Sequence, residues 1–255
     1  NVDNGVNGDV PLSAAATVAT YVDNTPLFAN FLLHDIQRVE VMRGPQGTLY
    51  GSSALGGTIR YIMNRPDASA FDASVGVTYG QTEHSDGDNV AIDGMVNIPL
   101  SDTAAFRLSA GSVENEGVID YVNLYQLQDG KPVVLCDSGE CLSVNDSSLT
   151  NEELAFNESC YTSKKDADDV SIKYARASLR FQPSDELDIQ LNYQWQEDEV
   201  GARRTITRGA DYFGNAYNEE DQSGSTMLEP SERDAQLMSL DVEWDLGFAT
   251  FTSST

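Results

Sequence analysis

The sequence is poor in basic residues, histidine and cysteine, and it has no long apolar run. Its 255 residues carry 15 Lys and Arg against 41 Asp and Glu, a formal charge of −26. A chain of that sign has no basic stripe to neutralise phosphates, which argues against a nucleic-acid partner. No stretch approaches the roughly 18–20 apolar residues that a spanning helix needs, so a helical membrane protein is excluded. Mean hydropathy is −0.36. That value leaves a membrane β-barrel open, because barrel strands hide their apolar residues in alternation. The only histidines are His34 and His84, so a His-based catalytic site is not expected, and both are read as surface or packing residues. No basic n-region or apolar h-region opens the chain. It starts at Asn1 and stops at Thr255 inside what reads as a strand, so it is expected to be an internal piece of a longer chain.

Two regions differ in pattern. Residues 1–66 are rich in turn formers and carry short strand patterns at Val18–Val22, Val39–Met42 and Gly57–Ile62. The Asp-Asn-Thr-Pro run after Val22 reads as a turn, because Asp and Asn bond their own backbone and Pro fixes φ. A small mixed α/β unit is expected there. From Phe71 onward the period is two. Val75, Val77 and Tyr79 alternate with polar or small residues, and so do Val90, Ile92, Val96 and Ile98. Leu187, Ile189, Leu191, Tyr193 and Trp195 alternate with Asp and amide residues, and Met238, Leu240, Val242 and Trp244 repeat the pattern. Alternation over about ten residues is the signature of a barrel strand. Between Val170 and Phe181 the apolar set shifts from even to odd positions, so a bulge is expected near Ala175–Arg176.

Connections alternate in length. Tight turns are read at Pro99–Thr103, Gln182–Glu186 and Asp245–Phe248, with long links at 114–168 and 198–233 between them. Short and long connections in turn suit a transmembrane barrel with brief inner turns and large outer loops. Tyr79, Tyr193, Trp195 and Trp244 suit an interfacial girdle. A soluble β-sandwich alternates too. Strands of about 9–11 residues favour the membrane, since soluble sheets use about 5–6. The expected class is mainly β: a transmembrane antiparallel barrel segment at 67–255, of about seven strands, following the mixed unit at 1–66.

Glycines at 44, 47, 51, 56 and 57 allow tight reversals and close backbone packing. No Gly-Lys-Ser/Thr follows them, so a P-loop is excluded. Gly51-Ser-Ser-Ala-Leu55 lacks the last glycine of a nucleophile elbow. No paired catalytic carboxylates stand out, and no enzyme is expected.

From Ile36 the chain reads Ile-Gln-Arg-Val-Glu-Val-Met-Arg-Gly-Pro-Gln-Gly-Thr-Leu-Tyr-Gly, then Ala54, Gly56, Gly57, Ile59, Ile62 and Pro66 at fixed spacing. This resembles, almost position for position, the end of the plug domain in TonB-dependent outer-membrane receptors. The run Val-Ala-Thr-Tyr-Val-Asp-Asn-Thr-Pro from Val18 is similar to an upstream plug segment, with Asn24 in place of glycine. The resemblance implies a barrel of about 22 strands with the plug inside, a width that a plug of this size requires. It implies the outer membrane of a Gram-negative bacterium, with lipid and lipopolysaccharide around the barrel. It implies energised import driven by the TonB–ExbB–ExbD complex, with the TonB-binding box before Asn1. The implied cargo is a scarce large nutrient: a ferric siderophore first, an oligosaccharide or cobalamin next. A passive porin-like or structural barrel is the alternative, and lacks such a plug.

Arg38, Glu40, Arg43, Gly44, Pro45, Gly47, Tyr50, Gly51, Gly56 and Gly57 are the plug-motif positions. The resemblance implies that Arg43 pairs with wall carboxylates, for which Asp93, Asp188, Asp241 and Glu243 have the inward phase; the other reading is that it caps plug carbonyls. Arg203, Arg204 and Arg208 are candidates to hold an anionic ligand. Tyr212, Phe213 and Tyr217 are candidates to stack on sugars or aromatic chelates. Ordinary loop folding accounts for both groups as well. Between 114 and 169 acidic residues outnumber lysines thirteen to three. That run is either a solvated loop or a structural divalent-cation site, though it lacks the spacing of a calcium loop. No resident cofactor is expected. Cys136, Cys141 and Cys160 fall in the same run, and a Cys136–Cys141 disulfide is the preferred pairing of three.

Overall fold

Alternation at period two and turn chemistry at the strand ends fold the described residues into two main sheets, of four and seven strands, and two small three-stranded ones. The computed structural model describes residues 18–50, 54–128, 131–137, 140–143, 161–211, 214–218 and 220–255. In the first unit β1 (Val18–Val22), β2 (Thr25–Pro26), β3 (Ile36–Arg43), a single helical turn α1 (Gly47–Tyr50) and β4 (Gly57–Met63) follow one another. Their mixed sheet has the order β2-β1-β4-β3, with β1 and β4 parallel. Asp23 at φ +51° makes the β1–β2 turn, a left-handed conformation that Asp tolerates better than most side chains.

The wall begins with β5 (Asp72–Gln81), β6 (Asp88–Ser101) and β7 (Ala104–Asn115). Five short strands lie in the next connection: β8 (Asp120–Tyr125), β9 (Leu127–Gln128), β10 (Lys131–Asp137), β11 (Glu140–Ser143) and β12 (Tyr161–Lys164). The wall resumes with β13 (Val170–Ser184) and β14 (Leu187–Val200); after β15 (Gln222–Ser223) it ends with β16 (Ser231–Asp245) and β17 (Thr250–Ser254). The order β17-β16-β14-β13-β7-β6-β5 is antiparallel throughout. Six of these strands run 10–15 residues, long enough to cross a bilayer at the usual tilt. The connections at one end are two to four residues; those at the other are 82–87, 116–169 and 201–230.

The two faces of the wall differ. Val75 is 80% exposed and Val77 68%; Ile92, Leu179, Tyr193 and Leu240 are exposed on the same side. The other side buries Asn97, Arg107, Ser109, Arg176, Ser178, Gln190, Asn192, Gln194 and Ser239. Among the described residues no second sheet covers the apolar face, which overturns the sandwich alternative. In lipid that face costs nothing to expose, and the polar face must find polar partners inside. Phe71, Phe181, Trp244 and Phe251 are exposed at the short-turn end and Tyr79 at the other, as a girdle requires. Tyr193 instead lies mid-strand.

The expected bulge at Ala175–Arg176 is absent. β13 pairs without a break from Val170 to Phe181 with both neighbours. The phase of the strand never changes: Ile172, Tyr174, Arg176 and Ser178 are all buried on the inner face. Ile172 and Tyr174 are apolar residues on the polar side. Tyr174 packs on the first unit, where its ring stacks on His34 at 4.6 Å and 16°. Register shifts occur instead beside the short turns, at Pro99/Ser101 and Phe181/Ser184.

Candidate functional site

The glycine-rich motif forms the link between β3 and β4. Gly44 sits at φ +85° and its N–H donates to the Gly56 carbonyl at 3.1 Å. The Gln46 N–H donates to Ala54 at 2.8 Å, and the Tyr50 N–H back to Gln46 at 3.0 Å. Pro45 leads into the helical turn that Gly47 opens. The Tyr21 hydroxyl donates to the Tyr50 carbonyl at 3.0 Å, and the two rings meet edge to face at 5.0 Å. Arg38 pairs with Glu40 at 2.8 Å, and Arg60 reaches Glu40 at 3.3 Å. Arg60 also donates to the Asp23 carbonyl at 2.6 Å. The motif is therefore architecture for a reversing loop. Gly51 lies outside the described residues.

The first unit is fastened to the inner face of the wall. Arg107 on β7 donates from Nε and Nη2 to the two Asp35 carboxylate oxygens, each at 2.6 Å, with both side chains nearly buried. Asp35 is itself at φ +62° and takes a third bond from Asn64 Nδ2 at 2.7 Å. Arg176 on β13 lies 3.7 Å from Asp23 and 3.5 Å from the Asn64 carbonyl. Arg180 reaches the Pro66 carbonyl at 3.5 Å and holds Asp188 with two bonds. Arg65 joins the same Asp188 at 3.1 Å. Asn97, 1% exposed, clamps the link to β5: it accepts from the Asp67 N–H at 2.9 Å and donates to the Asp67 and Ala70 carbonyls at 2.8 Å each. Burial raises the Asp23 carboxyl above the usual carboxylate range, against the lowering pull of the Met63 N–H and Arg176.

At the end with long connections, two of them fold together. β8 pairs with β12 and, in parallel, with β15. Ile119, Tyr121, Leu124, Ala167 and Ala202 form its small core. Asp168 is 1% exposed and accepts the Val118 and Ile119 N–H groups at 2.7 and 2.8 Å, while Arg204 donates to its other oxygen at 2.5 Å. Gly201 allows β14 to approach this body: a Cβ there would lie 2.5 Å from the Ala167 carbonyl oxygen. Beside it, an open groove of about 440 Å³ is lined by Asn123, Tyr161, Asn215, Tyr217 and Gln222 among others.

The sequence-derived ligand residues divide accordingly. Arg203 pairs with Glu229 at 3.1 Å and Arg204 with Asp168, so both cations already have carboxylate partners. Arg208 lies in the same connection. Tyr217 borders the groove and its hydroxyl accepts from Asn123 at 2.8 Å. Tyr212 and Phe213 lie outside the described residues, as do Cys160 and much of the acidic run. Among the described residues no group of His, Cys, Asp or Glu is placed to hold a metal ion. Cys136 and Cys141 stand directly opposite each other on β10 and β11. Arg43 is exposed at the end of β3, and of the four carboxylates proposed for it Asp188 is taken by Arg65 and Arg180. Sequence reasoning missed Asp23, Asp35, Asn97, Arg107, Arg176 and Arg233. For the four on the wall, Asn97, Arg107, Arg176 and Arg233, the signal was there: a large polar residue on the inner phase of a barrel strand needs a partner.

A one-sided wall with a small sheet hydrogen-bonded to its polar face is the arrangement of part of a plugged barrel, and among the described residues its seven strands leave the barrel open. Residues 4–58 match the model of the TonB-dependent Receptor Plug Domain. The chain is 51% identical over 55 residues to the pesticin receptor of Yersinia pestis, covering 20% of this chain and 8% of the relative. It is 35% identical over 85 residues to the iron-regulated outer membrane virulence protein of Vibrio cholerae, covering 33% of this chain and 13% of the relative. The fold matches a ferric enterobactin receptor of Pseudomonas aeruginosa with a TM-score of 0.60 at 13% identity, covering 94% of this chain and 32% of that one. It matches the ferripyoverdine receptor of the same organism with a TM-score of 0.54 at 15% identity, covering 89% and 25%. Over residues 4–58 the chain is similar to the plug domain of TonB-dependent receptors, its fold is that of such receptors, and it spans 8% and 13% of the length of the Yersinia pestis and Vibrio cholerae relatives.

Proposed function

We propose that this chain is the plug and leading wall of an energy-coupled importer for a scarce nutrient too large for open pores. The observation that carries the reading is the way the plug is seated. Arg107–Asp35 and the Asn97 clamp are buried polar contacts, and breaking one side of a buried pair costs about 3–5 kcal/mol. A passive pore gains nothing from such a stopper. An importer needs one that stays closed until work is done on it, and the TonB–ExbB–ExbD complex would deliver that work from the inner-membrane proton gradient.

A ferric siderophore is the first cargo to test, supported by a relative named an iron-regulated outer membrane virulence protein and by fold neighbours that receive ferric enterobactin and ferripyoverdine. Cargo would meet the plug apex, where Phe28 is 94% exposed, and the outer groove beside Tyr217. Arg203, Arg204 and Arg208 would act on it only by exchanging their present partners for it.

The test is iron-55 uptake from a panel of ferric siderophores by a deletion strain and its complemented parent, with and without a protonophore. Uptake that needs both the gene and the proton gradient is expected. Uptake that persists under the protonophore would establish the passive barrel instead. If no siderophore is taken up, the same assay with labelled oligosaccharides and cobalamin decides the cargo class.

A further inference from the structure

On the outer half of the wall, three side chains form a chain that ends on the plug. Asp198 on β14 is 1% exposed. One of its oxygens accepts from Gln196 Nε2 at 2.6 Å and the other from Arg233 Nε at 2.6 Å. Gln196 then accepts the Leu32 N–H on its Oε1 at 2.6 Å. Arg233 donates from Nη2 to the Asn30 carbonyl at 2.7 Å. The plug apex is thus held at two alternate backbone groups by two side chains that share one buried carboxylate.

The other end of this network is the outer body. Asp198 and Arg233 are register partners, each two residues from the strand end that borders the connection 201–230. That connection is pinned to the neighbouring one by the Gly201 N–H on the Asp169 carbonyl at 2.9 Å and by Arg204 on Asp168. A shift of the connection at Ser231 displaces Arg233. Such a displacement would take a donor from Asn30 and leave a buried carboxylate short of its cation, a costly state that favours movement of the three side chains together.

We propose that Gln196, Asp198 and Arg233 are a coupling latch, through which movement of the outer connection 201–230 releases or holds the plug apex at residues 30–32. They are positioning residues and touch no cargo. The part of the latch in transport rests on the import reading above; the coupling itself does not.

Hydrogen exchange in the purified full-length receptor tests it without any ligand. Arg204→Ala frees the connection from Asp168. In the parent background it should speed exchange at residues 27–35 by about tenfold, a local opening of the latch. In Asp198→Asn or Arg233→Gln backgrounds the apex should start faster, and Arg204→Ala should add less than about twofold, because coupled sites are not additive. Arg233→Lys keeps a cation beside Asp198 but cannot bridge to Asn30 as a planar fork does. It should assemble like the parent, judged by heat-modifiable migration, and still lose the coupling. An apex indifferent to Arg204→Ala, or one that responds equally in parent and latch variants, overturns the proposal. An apex that responds in a receptor that imports nothing keeps the latch and sinks the import reading.

Discussion

Arg107 on the wall and Asp35 on the plug, 72 residues apart, share two parallel hydrogen bonds of 2.6 Å each. The fork of a guanidinium matches both carboxylate oxygens only in this planar arrangement. Arg107→Ala leaves Asp35 charged and nearly buried, at a cost of about 3–5 kcal/mol to plug seating. Limited proteolysis of the receptor in outer membranes should then cut the plug faster. The double variant Arg107→Ala/Asp35→Ala should be less loose than the two single losses added together, because no orphan charge remains. Strict additivity would show that the pair does not seat the plug.

Gly57 and Gly47 belong to one motif and should respond oppositely. A Cβ on Gly57 would stand 2.5 Å from the Met42 carbonyl oxygen, on a residue at φ +154°. Gly57→Ala therefore has to part β3 from β4, and about 2–4 kcal/mol of plug stability should go with it. A Cβ on Gly47 would meet nothing within 4 Å. Gly47→Ala should fall within about 1 kcal/mol of the parent. Urea titration of plug protease resistance separates them, and equal midpoints would contradict the geometry.

Val77 points at lipid and its neighbour Thr78 points inward. Val77→Arg near the middle of β5 should cost about 2–4 kcal/mol and lower the yield of folded barrel. Thr78→Arg on the lumen side should assemble normally. Folded yield after refolding into lipid vesicles measures both, and a tolerated Val77→Arg would remove the lipid face from that strand.

Cys136 and Cys141 are opposed across β10 and β11. Opposed Cα atoms on antiparallel strands lie about 4.5–5.5 Å apart, within the range a disulfide spans. The proposed pair should therefore be oxidised in receptor isolated without reductant, leaving one of the three cysteines to react with maleimide under denaturing conditions. Three reactive thiols would show that no disulfide forms.

Much of this was legible beforehand, and the failures are instructive. The strands of the wall, its two faces and the alternating connections follow from spacing along the chain, and the plug motif from its resemblance to a known family. β13 misled because Ile172 and Tyr174 are apolar yet inward: hydrophobicity marks lipid only where the lumen holds water or polar plug, and here it holds the His34 ring. The contacts between plug and wall were not legible in this way. In the sequence Arg43 reads as a partner of wall carboxylates or a cap on plug carbonyls, and it stands exposed at the end of β3. Most of the contacts described run from the wall to the plug, with wall arginines 107, 176, 180 and 233 on plug carboxylates and carbonyls.

The chain by itself determined which residues alternate, where it turns and that its plug loop reverses on glycine, since each depends on neighbours a few positions apart. Which wall residue meets which plug atom was decided only by the tertiary structure. Contacts such as Leu32 with Gln196 and Asn30 with Arg233 join residues 164 and 203 positions apart. They depend on the register of the wall strands and on the depth at which the plug sits, which no local pattern encodes.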